Sequence, residues 1–134
     1  MTFETLTFTT EFNRCYDITA DVQAVVDKSG VTEGACVITT KEMSIGIGLP
    51  SHWDKKGWDD MMDDMHRLIA TRVDFKDTTG TPYDAAARLK TAFVGNHANC
   101  IIKEGKLLLG SSQGILIHEF GNDGNQRTVD VAVL

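Results

Sequence analysis

The last third of the chain most limits what it can fold into, because almost all of it is strand-like. Apolar and β-branched residues recur there in four short runs separated by turn-forming residues. The runs are Asn99–Lys103, Lys106–Gly110, Ile115–Phe120 and Arg127–Val133. The Glu104-Gly105 pair predicts a hairpin between the first two runs, and Gly121–Asn125 predicts a turn between the last two. Strands that cluster in this way favour antiparallel sheets over a doubly wound fold.

Upstream, strands and helices are mixed. Residues Phe3–Phe12 alternate with period 2, as a strand does. A helix is predicted next, capped by Asp17 or Thr19 and ended by Gly30. The remaining predicted elements are two neighbouring strands, Ala35–Thr40 and Met43–Leu49, and two helices, Trp58–Thr71 and Tyr83–Val94. The order β-α-β-β-α-α-β-β-β-β predicts an α+β fold with antiparallel sheets and about three helices packed against them.

Length, charge and cysteine usage narrow the class of protein. The 134 residues predict one domain, 1–134, and the net charge of −6 argues against nucleic-acid binding, which usually needs a basic face. The sequence contains no run of about 18 apolar residues, so no membrane span is predicted. The acidic N-terminus does not resemble a signal peptide. Three widely spaced cysteines form neither a disulfide framework nor a zinc motif. We therefore expect a cytoplasmic protein.

Local motifs point to no standard catalytic chemistry: P-loop, nucleophile elbow and zinc-protease signatures are absent from the sequence. Aspartates flank Met61-Met62 in pairs, and the solvated face of an amphipathic helix explains them, so no metal site is predicted. His118 alternates with Leu116 and Phe120, which favours a half-buried histidine with satisfied hydrogen bonds over a ligand.

The polar segment Gly110–Gly114 allows two interpretations. In one, Leu107–Phe120 is a single long strand with a bulge at this segment, and Gln113 shares a face with Ile117 and Glu119. In the other, the segment is a hairpin turn between two shorter strands. The bulged strand is favoured because turn signals already bound the stretch on both sides. It predicts that Gln113 points at a pocket.

The C-terminal stretch Gly105–Val133 resembles the signature of the YjbQ-like family, also known as secondary thiamine-phosphate synthases. In that signature a Leu-Gly-Thr-Trp-Gln segment is followed by an apolar run, an acidic residue, a glycine-containing turn and an arginine. The matching residues are Gly105, Leu109, Gly110, Gln113, Glu119, Gly124, Arg127 and Val129. Ser111 and Ser112 replace the Thr-Trp pair.

The resemblance continues upstream over nearly the whole chain. The segment Asp17-Ile18-Thr19 is similar to the family's helix start, and Thr39-Thr40 to the end of its His-Thr-Thr strand. Further matches are Ser29, Gly30, Val31, Gly34, Ala87, Leu89, Lys90 and Gly95. The resemblance implies antiparallel sheets with packed helices, a homotrimer, and pockets near the subunit boundaries.

Three departures concern the family's ionisable groups, and in one of them the acidic residue of the family's Ile-Asn-Glu stretch falls near Gly46-Ile47. Ile38 stands where the family has the histidine before Thr-Thr, and Arg88 where it has the histidine before Leu-Lys. Histidine is the usual proton shuttle near neutral pH, so both losses bear on catalysis. His97 and His52 are the candidates to compensate. The residues expected to bind a ligand supply charge, hydroxyls or an amide: Thr39, Thr40, Arg88, Lys90, His97, Ser112, Gln113 and Glu119. Lys41 would add a cation.

Three functions follow from the resemblance and its departures. The first is weak thiamine-phosphate synthase-type transfer between phosphorylated pyrimidine and thiazole precursors, with magnesium as cofactor. The second, favoured by the histidine losses, is binding of a small phosphorylated or anionic ligand, or of a partner protein, without chemistry. The third is a structural homotrimer with a vestigial pocket. No catalytic residue is assigned.

Overall fold

Two antiparallel sheets and three helices make up the part of the chain that the structure, a computed structural model, describes, namely residues 1–51 and 54–134. The helices are α1 (Thr19–Ser29), α2 (Lys55–Leu68) and α3 (Pro82–Val94). The strands are β1 (Thr2–Thr9), β2 (Arg14–Asp17), β3 (Glu33–Thr39), β4 (Ile45–Gly48), β5 (His97–Lys103), β6 (Lys106–Leu107), β7 (Leu116–Glu119) and β8 (Gln126–Val133). The predicted α+β class and its antiparallel sheets are confirmed. No helix among these residues is long and apolar enough to span a bilayer.

The larger sheet has five strands in the order β1-β8-β3-β5-β6. Its strands alternate in burial, so one face of β8 presents Val129, Val131 and Val133 to the core while the intervening residues lie on the outer face. Cys36 and Cys100 lie opposite each other on β3 and β5 and are buried. Both therefore act as core residues.

The smaller sheet has the order β2-β7-β4, and it is covered on both sides. Ile115 and Ile117, around the start of β7, pack in the main core with the valines of β8 and the apolar face of α1. Phe120, just after β7, packs on the other side with Met62 of α2 and Ala87 of α3. Burial on both faces explains why apolar residues continue without alternation from Ile115 to Ile117 as β7 begins.

The pairing of strands differs from the sequence-based expectation in two places. The strands predicted as neighbours, β3 and β4, lie in different sheets, and so do β7 and β8. A short strand, β2, was not predicted: its four residues Arg14–Asp17 run directly into α1 and show no alternation long enough to recognise. The hairpin at Glu104-Gly105 is confirmed, with φ of 52° and 76° at its two residues.

The favoured interpretation of Leu107–Phe120 as one bulged strand is wrong. The strand β6 ends at Leu107 in the larger sheet and β7 begins at Leu116 in the smaller one, so the segment between them crosses from sheet to sheet. A turn closes there, because the backbone N–H of Gln113 donates to the carbonyl of Gly110 at 3.0 Å. Neither a long strand nor a simple hairpin describes it.

Candidate functional site

A cleft that carries Lys41, Glu42 and Arg88 lies between α3 and the segment before β4. Thr81 and Asp84 form a reciprocal capping box at the start of α3, and Gly95 ends the helix with a positive φ of 94°. One face of the helix, with Arg88 and Thr91, is thereby held against the segment 40–43. The cleft has a volume of about 420 Å³ and is named here the Arg88 cleft. Its lining residues are Thr40, Lys41, Glu42, Met43, Arg88, Thr91, Ala92, Gly95 and Asn96.

Two contacts orient the Arg88 guanidinium. Its Nε donates to Oδ2 of Asp77 at 2.7 Å and its Nη2 to the carbonyl of Thr79 at 2.6 Å. The hydrogen bond from Arg88 lowers the pKa of the Asp77 carboxyl. Nη1 makes no hydrogen bond to any described residue. The arginine therefore lies in a fixed orientation with donor capacity left over.

Four of the residues expected to bind a ligand lie in or beside this cleft. Thr40 lines it, although its hydroxyl already donates to the carbonyl of Thr128 at 2.8 Å. Thr39 and His97 face each other across β3 and β5, and both contact Asn96, which also lines the cleft. Together with Arg88 they form one region. His52 lies outside the described residues.

Ser112 and Gln113 lie elsewhere, at the opposite end of β4 from the Arg88 cleft. Oε1 of Gln113 accepts from the backbone N–H of Gly110 at 2.8 Å, and its Nε2 donates to the carbonyl of Leu49 at 3.3 Å. The Ser112 hydroxyl lies 3.2 Å from that of Ser51. The amide of Gln113 thus binds main chain at both ends and holds the crossing segment to the end of β4.

Glu119 belongs to a buried ionic network rather than to a cleft wall. Its carboxylate accepts from Nε of Arg127 at 2.5 Å, from the Thr10 hydroxyl at 2.7 Å and from the backbone N–H of Gly121 at 3.0 Å. Arg127 also donates to Asp123 at 2.7 Å. Bonding of this kind satisfies a buried charge pair. The sequence placed Arg127 only in a family motif, without this role.

Lys90 is buried as deeply as the apolar core, with 1% of its surface exposed. Its Nζ lies 5.8 Å from the centre of the Phe120 ring, and the side chain makes no hydrogen bond to a described residue. Burial lowers the pKa of this amine. The residue faces the smaller sheet, whereas its neighbours Arg88 and Thr91 face the cleft.

A thiol–imidazole pair, which no motif in the sequence indicated, lies between β2 and β7. Cys15 of β2 lies opposite His118 of β7, and Sγ is 3.2 Å from Nδ1. Burial raises the pKa of the Cys15 thiol to about 12, with the Asp59 carboxylate adding to the effect, and burial lowers the pKa of His118 to about 4. Both groups are therefore neutral at pH 7. Because β2 was not predicted, no signal in the sequence could have paired two residues so far apart.

Comparison with known proteins decides the family. The model of the family described as "UPF0047 protein YjbQ-like" matches residues 4–134, which is nearly the whole chain. The chain belongs to the YjbQ/UPF0047 family. A UPF0047 protein of Methanocaldococcus jannaschii is 32% identical over 111 residues, covering 83% of this chain and 77% of the relative. The UPF0047 protein YugU of Bacillus subtilis is 30% identical over 114 residues, covering 84% of this chain and 83% of YugU.

Solved structures of the family share the fold. A YjbQ/UPF0047 family protein of Clostridium acetobutylicum superposes with a TM-score of 0.89 at 28% identity, over 98% of this chain and 99% of that one. A protein of unknown function from Sulfolobus solfataricus gives 0.90 at 23% identity, over 98% and 94% of the two chains. The resemblance seen in the sequence is thus confirmed for the family and the fold.

The two positions at which the sequence resemblance implies histidines lie in different environments in this member of the YjbQ family. Ile38 is fully buried in the core between the sheets, whereas Arg88 lines the cleft. An apolar core residue occupies the first position, and a cation that reaches solvent occupies the second. The Ile38 and Arg88 side chains therefore do not share one site here.

Proposed function

We propose that this protein binds a small phosphorylated anion in the Arg88 cleft. The observation that carries the proposal is the orientation of Arg88, which two contacts hold in the cleft wall with Nη1 left to donate. A guanidinium held in this way loses little side-chain entropy when it binds a phosphate oxygen, and the bond is charge-assisted. Lys41, largely exposed at the rim, adds a second cation.

Glu42 is the acidic residue among those that line the Arg88 cleft, and its carboxylate contacts groups outside the cleft. Oε1 of Glu42 accepts from the backbone N–H of Thr128 at 3.2 Å, and its Oε2 lies 3.9 Å from Nη1 of Arg127. Its negative charge is therefore partly balanced behind the wall, which lowers the repulsion that an anion in the cleft would meet. The amide of Asn96 offers a further polar group, whereas the Thr91 hydroxyl already donates to the carbonyl of Arg88 at 2.9 Å.

Pyrophosphate and inorganic phosphate are the probes for this site. We expect each to raise the melting temperature, because a ligand at ten times its Kd stabilises the folded state by about 1.4 kcal/mol. That gain corresponds to several degrees for a domain of this size. Arg88→Ala should abolish the shift and Lys41→Ala should reduce it. Differential scanning fluorimetry and calorimetric titration at low salt measure both effects.

Arg67→Ala is the matched control, because Arg67 is exposed on α2, pairs with Asp64 and lies outside the cleft. It should keep the full shift. Since Arg88→Ala also removes the contacts to Asp77 and Thr79, Lys41→Ala supplies the variant that leaves the fold intact. An unchanged shift in both cleft variants, or no shift with any phosphate, would refute the proposal.

The transferase reaction implied by the family resemblance stays a prediction. Release of pyrophosphate needs positive charge on the leaving group, which the Arg88 cleft supports, with magnesium as the expected cofactor. Incubating the purified protein with the two phosphorylated precursors and magnesium, and assaying for thiamine phosphate against a heat-killed control, tests it. A cytoplasmic location is proposed with it, supported by three free thiols.

A homotrimer is the assembly that we propose, supported by the outer face of the larger sheet. Strand register places apolar residues in adjacent rows on that face, and the large ones are exposed: Phe3, Ile101, Leu108 and Leu134. Apolar patches of this kind mark interfaces. Light scattering should give three times the chain mass of 14.7 kDa. Ile101→Lys should lower that mass, and Leu68→Lys on α2 should not. A monomeric wild type would refute the assembly.

A further inference from the structure

The Cys15–His118 pair lies among other soft donor groups. Cys15 packs against the apolar cluster that contains Met62 of α2. Met65 of α2 packs against the same cluster. Thiolate and thioether sulfur favours Cu(I), zinc and iron–sulfur clusters, and imidazole nitrogen suits copper and zinc, so these donors together suit a soft metal ion. None of these side chains belongs to the Arg88 cleft, so the pair is independent of the anion proposed there.

We infer that Cys15 and His118 bind one Cu(I) ion, with the thioether of Met62 as a third donor. The distance of 3.2 Å from Sγ to Nδ1 is already close to the roughly 3.6 Å expected for sulfur and nitrogen ligands of one metal at tetrahedral angles, taking zinc bond lengths as a guide. A small separation of the two side chains admits the ion. Register fixes the pair, because Cys15 and His118 are direct partners in the antiparallel ladder.

Charge balance favours a monovalent ion at this depth. On binding, the thiol releases its proton to water and the sulfur bonds to Cu⁺, so a neutral S–H is replaced by a neutral S–Cu unit. A divalent ion with the same two ligands would leave a net positive charge in a site where His118 is only 2% exposed. Among residues 1–51 and 54–134 no three His, Cys, Asp or Glu side chains converge to hold a metal, and Met62, in the cluster that Cys15 packs against, supplies the third donor of the inferred site.

An approach from solvent exists on the Cys15 side. Cys15 is partly exposed in a cleft of about 460 Å³ between β2 and α2, which Trp58 and Asp59 also line. The buried Nε1 of Trp58 has no hydrogen-bond partner there among the described residues. This cleft gives a cuprous ion carried by a small ligand an approach to Cys15 from solvent.

Anaerobic titration of Cu(I) against the chromophoric competitor bicinchoninate tests the inference. The wild type should withdraw one equivalent of copper and release about one proton per copper at pH 7. Cys15→Ser and His118→Gln should each lose this equivalent, and Met62→Leu should weaken it at least tenfold. Cys100→Ala and His66→Gln are the matched controls, a buried thiol and an exposed imidazole outside the pair, and both should bind copper as the wild type does.

Circular dichroism of each variant shows whether its fold persists. Cys15→Ala serves if Cys15→Ser does not fold, since both remove the thiol. Three results would overturn the inference, and the first two are no withdrawal of copper from bicinchoninate by the wild type, and withdrawal that survives Cys15→Ser and Cys15→Ala. Loss of copper in Cys100→Ala alone would place the ion elsewhere and overturn it equally.

Discussion

Glu119→Ala is expected to lower the free energy of unfolding by about 3 to 5 kcal/mol, because it leaves the buried Arg127 guanidinium without its closest counter-charge. It also leaves the Thr10 hydroxyl and the Gly121 N–H without an acceptor. Against a total stability of about 5 to 15 kcal/mol, this loss is a large share. Urea unfolding followed by tryptophan fluorescence measures it.

Glu119→Gln keeps the volume and most of the hydrogen bonds, so it provides a variant that folds if Glu119→Ala does not. We expect Glu119→Gln to cost less than Glu119→Ala but still destabilise. The double variant Glu119→Leu with Arg127→Met should recover much of the loss, because replacing a whole buried pair with apolar residues is often neutral. A single-variant loss below about 1 kcal/mol would show that the network contributes little.

Lys90→Met is expected to raise the free energy of unfolding by about 1 to 3 kcal/mol at pH 7. The ammonium is buried without a hydrogen bond to any described residue, and methionine fills a similar space with an apolar chain. Its cation–π contact with Phe120 offsets only part of the cost of burial. Urea unfolding of the variant and the wild type, side by side, measures the difference.

The pH dependence separates this effect from simple repacking. Burial lowers the pKa of Lys90 in the folded state below its ordinary 10.5. At a pH between the folded-state pKa of Lys90 and its ordinary pKa, the unfolded chain binds more protons than the folded one. The free energy of unfolding of the wild type therefore rises with pH over that range. The advantage of Lys90→Met should therefore be greatest near pH 7 and shrink toward pH 10. Lys103→Met, at an exposed position on β5, is the matched control and should show no such trend. A constant advantage at all pH values would contradict the charge explanation.

Local signals predicted the elements that carry their own boundaries. The helix α3 is bounded by a capping box at Thr81 and by Gly95, and the hairpin by Glu104-Gly105, so both were predictable within a few residues. The strand β2 was missed because four residues are too few to show a period. Periodicity also states which residues share a face but not which strand pairs with which, and the division of strands between two sheets was therefore out of reach.

Some residues of the candidate site could be predicted from the sequence and others could not. Arg88, Thr40 and Asn96 come together where α3 packs beside β4 and the segment that leads into it. Gln113 was predicted to bind a ligand because it lies between glycines in a family motif. In the structure its side-chain amide accepts a hydrogen bond from the backbone N–H of Gly110 and donates one to the carbonyl of Leu49. The pairing of Cys15 with His118 depends on the unpredicted strand β2.

The strand β7 has a further consequence for folding accuracy. Apolar residues lie on both of its faces, so sliding it by one residue would still bury hydrophobic groups on each side, and hydrophobicity alone selects its register weakly. Its two polar residues break that ambiguity. In the native register Glu119 meets Arg127 and His118 meets Cys15, and a slip by one would exchange the two faces. The Glu119 carboxylate would then be buried without the Arg127 guanidinium. The adjacent residues His118 and Glu119 therefore select a single register for β7.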